Sequence, residues 1–317
     1  MKGFFYIRRA AIGLSLAGFL AASAAAVASE AFTLDTARVA ADKGDPQAQF
    51  FLARHYADGT GVIKDYAKAA TCLRQSADQG YAMAQTSLGS CYAHGQGVKQ
   101  DYAEAIQWYR KAAAQNDPLA EYCLGYAYAN GKGVPKDGTQ ALVWWHKSAE
   151  QGQVYAQNAL GQFYLYGEQP GDTNVNFAES LKWLSKAADQ DFGPSMSSLG
   201  YMYQYGVGVK LDFSQALKWN RRAAELGDAA GEDHLGKMYE NGEGGLSVDL
   251  VEAYKWFWLS QEQGNRAGRH DVMEIELHRV LTPEQIAEAK RMAAEFHPRG
   301  PANPSATAQE GQTESAR

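Results

Sequence analysis

The sequence predicts an all-α protein, a solenoid of about six helical hairpins closed by helical caps. Three observations predict it. One leucine recurs as Leu52, Leu88, Leu124, Leu160, Leu199 and Leu235, at spacings of 36, 36, 36, 39 and 36 residues. Internal periods of this length mark hairpin units that bury their apolar stripes only by stacking on one another. Within a unit two stripes alternate: Ala84, Leu88 and Tyr92 recur every four positions, and Ala105, Trp108 and Ala112 follow at helical spacing;. Between the stripes, glycines and aspartates stand at fixed places where one helix ends and the next begins.

Taken in order, residues 1–28 read as a secretory signal peptide. Lys2, Arg8 and Arg9 give a basic start, Ala10 to Ala26 is apolar and alanine-rich, and Ala26-Val27-Ala28 supplies an A-x-A cleavage site after Ala28;. The apolar stretch is short for the ~20 residues of a membrane anchor, the alternative reading. Arg8-Arg9 invites a twin-arginine signal, but Ile7 and Ala10-Ala11 do not match that motif;. No cysteine follows the stretch, which argues against a lipoprotein anchor. The expected address is the bacterial periplasm, or secretion. Residues 29–43 form a capping half-repeat, because Ala40-Ala41-Asp42-Lys43-Gly44 matches the end of a second helix.

The six units follow as 44–79, 80–115, 116–151, 152–190, 191–226 and 227–265. Gly59, Gly95, Gly131, Gly167, Gly206 and Gly242 end the first helices, where glycine tolerates a left-handed cap;. Asp65, Asp101, Asp137, Asn176, Asp212 and Asp249 begin the second helices, their side chains placed to accept from first-turn N–H groups;. Trp108, Trp144, Trp183, Trp219 and Trp256 carry the second stripe; the first unit has Cys72 instead. Residues 266–297 are expected to be C-terminal capping helices, with Thr282-Pro283-Glu284-Gln285 as a capping box;. From Pro298 the composition turns to Pro, Ala, Gly, Ser, Thr and Gln without a stripe, and 298–317 is expected to be disordered;.

Leu88-Gly89, Tyr92, Gly95-Gln96-Gly97-Val98, Asp101, Ala105, Trp108 and Ala112-Ala113 spell L-G-x-x-Y-x-x-G-x-G-V-x-x-D-x-x-x-A-x-x-W-x-x-x-A-A. This pattern resembles the Sel-one-like repeat, a relative of the tetratricopeptide repeat, over roughly residues 40 to 296. The fourth unit departs from it: Gly167-Glu168-Gln169-Pro170-Gly171 lacks G-x-G-V and adds three residues. The resemblance implies a right-handed α–α superhelix and a protein–protein adaptor. Members of the family include periplasmic regulators that hold the sensor domain of a membrane signalling protein.

Composition and motifs exclude other classes. The chain has 30 basic and 36 acidic residues; removing Lys2, Arg8 and Arg9 leaves 27 − 36 = −9. Such a chain is a poor partner for nucleic acid or anionic lipid. It carries no G-x-S-x-G, S-x-x-K, H-E-x-x-H, C-x-x-C or phosphate loop;. Gly95/Gly97 and Gly131/Gly133 follow helices rather than strands, so they read as turn glycines and not a dinucleotide loop. The seven histidines are scattered and suggest no metal site;. No catalytic residue, cofactor or metal is expected, and the chain reads as a non-enzyme. Cys72 and Cys91 lie on neighbouring helices and are the pair an oxidising compartment would join; the other reading makes Cys72, Cys91 and Cys123 small buried apolar residues;.

A partner face follows from helical geometry. At ~100° per residue, offsets −2, +2 and +6 from the key leucine lie opposite the core stripe. They give Tyr122, Tyr126 and Asn130 in the third unit, Asn158, Gln162 and Tyr166 in the fourth, and Ser197, Tyr201 and Tyr205 in the fifth. The other units give Phe50, Arg54, Thr86, Ser90, His94, Asp233 and Lys237. Tyrosine is enriched at interfaces because it joins large area to a polar tip. Tyr122, Tyr126, Gln162, Tyr166, Tyr201 and Tyr205 are therefore expected to line a concave groove that grips a partner protein. In the alternative reading, some tyrosines fill gaps between first helices. A second functional class keeps the same residues but gives them peptidoglycan or exopolysaccharide, with the chain as a cell-wall scaffold.

Overall fold

The structure is a computed structural model, and it describes residues 33–167, 175–278 and 280–299. The expected signal peptide, the fourth unit's inserted loop and the tail from 300 lie outside the described residues. The described residues form fifteen α-helices and one 3₁₀ turn, with no strand among them. No helix among them is long and apolar enough to cross a membrane.

Helix α1 (Leu34–Asp42) opens the chain behind a Thr33–Thr36 capping box. The hairpins are α2 (Pro46–Asp58) with α3 (Tyr66–Asp78), α4 (Ala82–His94) with α5 (Tyr102–Ala113), and α6 (Pro118–Asn130) with α7 (Gly138–Glu150). They continue as α8 (Val154–Tyr166) with α9 (Phe177–Ala188), α10 (Gly193–Tyr205) with α11 (Phe213–Glu225), and α12 (Ala229–Asn241) with α13 (Leu250–Glu262). Helices α14 (Arg266–Leu277) and α15 (Pro283–Glu295) close the chain. It divides into two compact units, Met1–Ala156 and Gln157–Arg317. Within each, a hairpin packs on the one before it, as α3 on α4 and α11 on α12.

The punctuation read from the sequence sits where it was expected. The carboxylate of Asp101 accepts from the N–H groups of Ala103 and Glu104 at 2.9 and 3.1 Å, and the other five second-helix caps bond in the same way. Gly95 ends α4 at φ 68°, donating to the Cys91 carbonyl. The second glycine of each G-x-G has another task. Gly97 lies so close to the preceding second helix that a Cβ would stand 1.9 Å from the Tyr66 carbonyl oxygen. The glycine that follows the key leucine in every repeat but the first, where Ala53 stands, does the same inside a hairpin: a Cβ on Gly89 would meet the Tyr109 ring at 2.6 Å.

A polar pair recurs inside the hairpins. A glutamine one or two residues past the end of the second helix donates from its side-chain amide to the residue three before the key leucine. The pairs are Gln79 to Gln49 (2.8 Å), Gln115 to Gln85 (2.9 Å), Gln151 to Glu121 (2.6 Å), Gln190 to Gln157 (2.8 Å) and Gln263 to Glu232 (2.7 Å). The fifth repeat replaces both partners at once, with Met196 fully buried against Leu226. A buried amide or carboxyl without a partner is costly, so an apolar residue at one position goes with an apolar residue at the other.

The C-terminal segment returns to the fifth and sixth repeats. Pro298 and Arg299 belong to the described chain, and Arg299 N–H donates to the Glu225 carbonyl at 2.7 Å. Just before it, Phe296 packs edge-on against Trp256, 5.1 Å between centroids.

Candidate functional site

In the first compact unit the expected face holds Tyr122 and Tyr126 on α6. Tyr126 is half-buried, and its carbonyl accepts from Asn130 Nδ2 at 2.9 Å. Tyr122 does not lie open to solvent. It is 8% exposed, and its ring lies 5.7 Å from that of Tyr155. Burial pushes its hydroxyl well above the usual tyrosine range. The correction extends to the −2 position of every unit but the fourth: Phe50, Thr86, Ser197 and Asp233 are buried too, and Asn158 is half-buried. The cause is packing on a second flank. First helices touch the next first helix, as α10 does α12, as well as their own second helix. A helical wheel with one core side assigns −2 to solvent; the fold gives it to the neighbouring first helix, and the open face narrows to +6 with a half-buried +2, which in the second unit, at Ser90, is buried as well.

In the second compact unit those positions form a ladder. Gln162 on α8 donates to Ser198 Oγ at 2.6 Å, which ties it to α10. Tyr166 and Tyr201 stand 6.5 Å apart, Tyr201 and Tyr205 5.0 Å, and Tyr201 stacks on His234 at 5.9 Å. Tyr166 and Tyr201 are half-buried, whereas Tyr205 is 50% exposed. Burial, and then the charge of Lys237, push the His234 imidazole down to about 3, so it is a neutral aromatic plate under the tyrosines.

The ladder ends on charges that the sequence reading did not combine. Lys237 Nζ is 2.7 Å from Asp233 Oδ2 and 3.4 Å from Asp271 Oδ2. Burial works against the ammonium, but the two carboxylates outweigh it and raise its pKa. Burial raises Asp271 and Glu240 as well. Asp271 lies on α14, outside the six units, so no repeat alignment brings it beside Lys237. The three cysteines are free thiols, Cys72 half-buried and Cys91 and Cys123 buried.

The decisive comparison is with the Sel1 repeat, whose family model matches six consecutive segments: 46–81, 82–117, 118–153, 154–192, 193–228 and 229–265. The chain is a Sel1-repeat protein. The matched Sel1 segments begin two residues after the units read from the leucine spacing, a shift that places each boundary at the start of a first helix. Among solved structures, this Sel1-repeat chain is similar to c5321 of uropathogenic Escherichia coli, a protective antigen with an SLR fold. The two are 34% identical with a TM-score of 0.66, over 83% of this chain and 56% of that one. The chain thus spans little more than half the length of that relative. A Sel1 repeat protein from Oxalobacter formigenes is 29% identical with a TM-score of 0.62, over 68% of this chain and 85% of that one. No curated protein matches. Sel1-repeat proteins generally mediate protein–protein interaction and are typically non-catalytic scaffolds.

Proposed function

We propose that this Sel1-repeat protein is a non-catalytic adaptor of the bacterial periplasm that holds a partner protein on the open face of its first helices. One observation carries the reading: Tyr201 and Tyr205 stand together at 5.0 Å, with Tyr205 half in solvent. Half of the Tyr205 side chain is open to contact, and aromatic anchors of this kind dominate interface energetics;. The basic, alanine-rich start with its A-x-A site supports export. A membrane signalling protein that presents a sensor domain to the periplasm is the partner class the family resemblance favours.

The test is cross-linking of the tagged chain in its native envelope, followed by identification of what co-purifies. One dominant protein that is lost with Tyr205→Ala, at unchanged helical circular dichroism, supports the adaptor. The same protein retained by Tyr205→Ala refutes the assigned face. Co-sedimentation with purified wall sacculi in the absence of any protein partner replaces the adaptor with the scaffold, since tyrosine rings also stack on sugars.

A further inference from the structure

Five of the six repeats place tryptophan at one position of the second helix, and the first repeat places Cys72 there. The second repeat shows what the ring does. Trp108 is buried, and the Arg74 guanidinium lies 5.5 Å from its centroid and 5.4 Å from that of Tyr92. Arg74 also donates to the Tyr92 hydroxyl. A shift of 36 residues carries Arg74, Tyr92 and Trp108 onto Arg38, Tyr56 and Cys72. Two of the three parts are therefore present in the first repeat, and the indole is missing. In its place is an open cavity of about 700 Å³ lined by Arg38, Leu52, Tyr56, Cys72 and Gln75 among others. Arg38 turns instead to Asp35, 3.1 Å away.

We propose that this cavity is a second binding site, which takes an aromatic side chain, a tryptophan above all, from a segment of a partner protein. The occupant is defined by the chain's own repeats: the lining that receives an indole from within at Trp108 receives one from outside at Cys72. Leu52 and Tyr56 offer apolar surface, and Arg38 offers a guanidinium to the ring face, as Arg74 does one repeat later. The carboxylate of Asp35 keeps that guanidinium at the cavity edge until a ring displaces it. The site lies on α1, α2 and α3 and shares no residue with the tyrosine ladder, so it stands or falls independently of the adaptor face.

The test uses the full chain and indole as the probe. Cys72 is half-buried and its thiol is pushed up by burial, so alkylation by N-ethylmaleimide is followed at about pH 8.5 with peptide mapping of the modified cysteine;. Indole at about twice its Kd is expected to slow alkylation of Cys72 about threefold, and more at higher concentration. Arg38→Ala is expected to restore the unprotected rate, and Tyr205→Ala to leave protection intact. Cys72→Trp supplies the ring internally; it is expected to raise Tm by about 3 °C and to abolish the shift in Tm that indole causes in the parent chain. Alkylation that indole does not slow overturns the proposal whether or not Cys72→Trp folds, and so does protection that survives Arg38→Ala.

Discussion

Glu232→Gln should stabilise this protein, and by an amount that depends on pH. Glu232 is fully buried at the polar-pair position of the sixth repeat. One carboxyl oxygen accepts from Gln263 Nε2 at 2.7 Å, and the other, Oε1, is buried without a hydrogen-bond partner. In the third repeat the same carboxyl position, Glu121, has Lys147 Nζ 2.7 Å away; in the sixth, Leu259 occupies the place of Lys147. Burial, and then the nearby Asp228 carboxylate, push Glu232 from the ordinary 4.5 up to about 8. A carboxyl raised in the folded state is proton-bound there while the unfolded chain has already ionised. Stability is therefore full below pH 4.5, falls as pH rises from there, and levels off once the folded group ionises above pH 8. At pH 7 the loss covers 2.5 pH units at 1.36 kcal/mol each, about 3 kcal/mol. A glutamine never ionises, and three repeats already show it in place: Gln85 accepts from Gln115 and donates to the Ala77 carbonyl at 3.2 Å. The matching carbonyl for position 232 is that of Ala224. The assay is urea unfolding of parent and variant at pH 4.5 and pH 7. The expected gain is about 3 kcal/mol at pH 7 and near zero at pH 4.5. A gain equal at both pH values, or none at pH 7, would refute the assignment of a buried, proton-bound carboxyl.

The neighbouring repeats give contrasting outcomes. Glu121→Gln removes the partner of Lys147 together with the burial cost of the carboxylate, and the unfolding free energy from urea at pH 7 should change by less than about 1 kcal/mol, unlike Glu232→Gln;. Met196→Gln and Leu226→Gln should each cost about 1–3 kcal/mol by burying an unpaired amide, while the double variant recovers part of the loss by forming the Gln–Gln pair; additive losses in a double-mutant cycle would count against the pairing rule. Gly97→Ala forces a methyl against the Tyr66 carbonyl oxygen at a φ of 72°, and should lower stability by more than about 2 kcal/mol in the same unfolding assay;.

The hairpins were legible because each local signal agrees with the next. Gly95, Asp101 and the Leu88 and Trp108 stripes each specify the same boundary, and the structure keeps all of them. The candidate face was only half legible. Tyr201 and Tyr205 lie at open offsets, as the wheel placed them, but Tyr122 disappeared between first helices because a one-helix projection contains no neighbouring repeat. The small, polar residues at −2, such as Thr86 and Ser197, were the available sign that this position is packed. Lys237 and Asp271 could not be joined from the sequence, because α14 follows the last repeat and carries no register with it. The first-repeat cavity was visible only as the exception at Cys72; that a space remains there depends on side chains from three helices.

The polar pairs have a consequence for how such a chain changes in evolution. Both members of each pair, as Gln85 and Gln115, belong to one repeat, and so do the hydroxyl contacts from Ser76 to Pro46 and from Ser148 to Pro118. A gene segment copied or deleted as one whole period therefore carries these pairs and hydroxyl contacts as complete sets, and only bonds that cross repeats, such as Gln162 to Ser198, are remade at the junction. The fifth repeat shows the second route, in which Met196 and Leu226 have drifted together without involving their neighbours. Length is thus the least constrained variable of this architecture, and the surface available for contact can lengthen or shorten in steps of one hairpin while the interior chemistry stays closed.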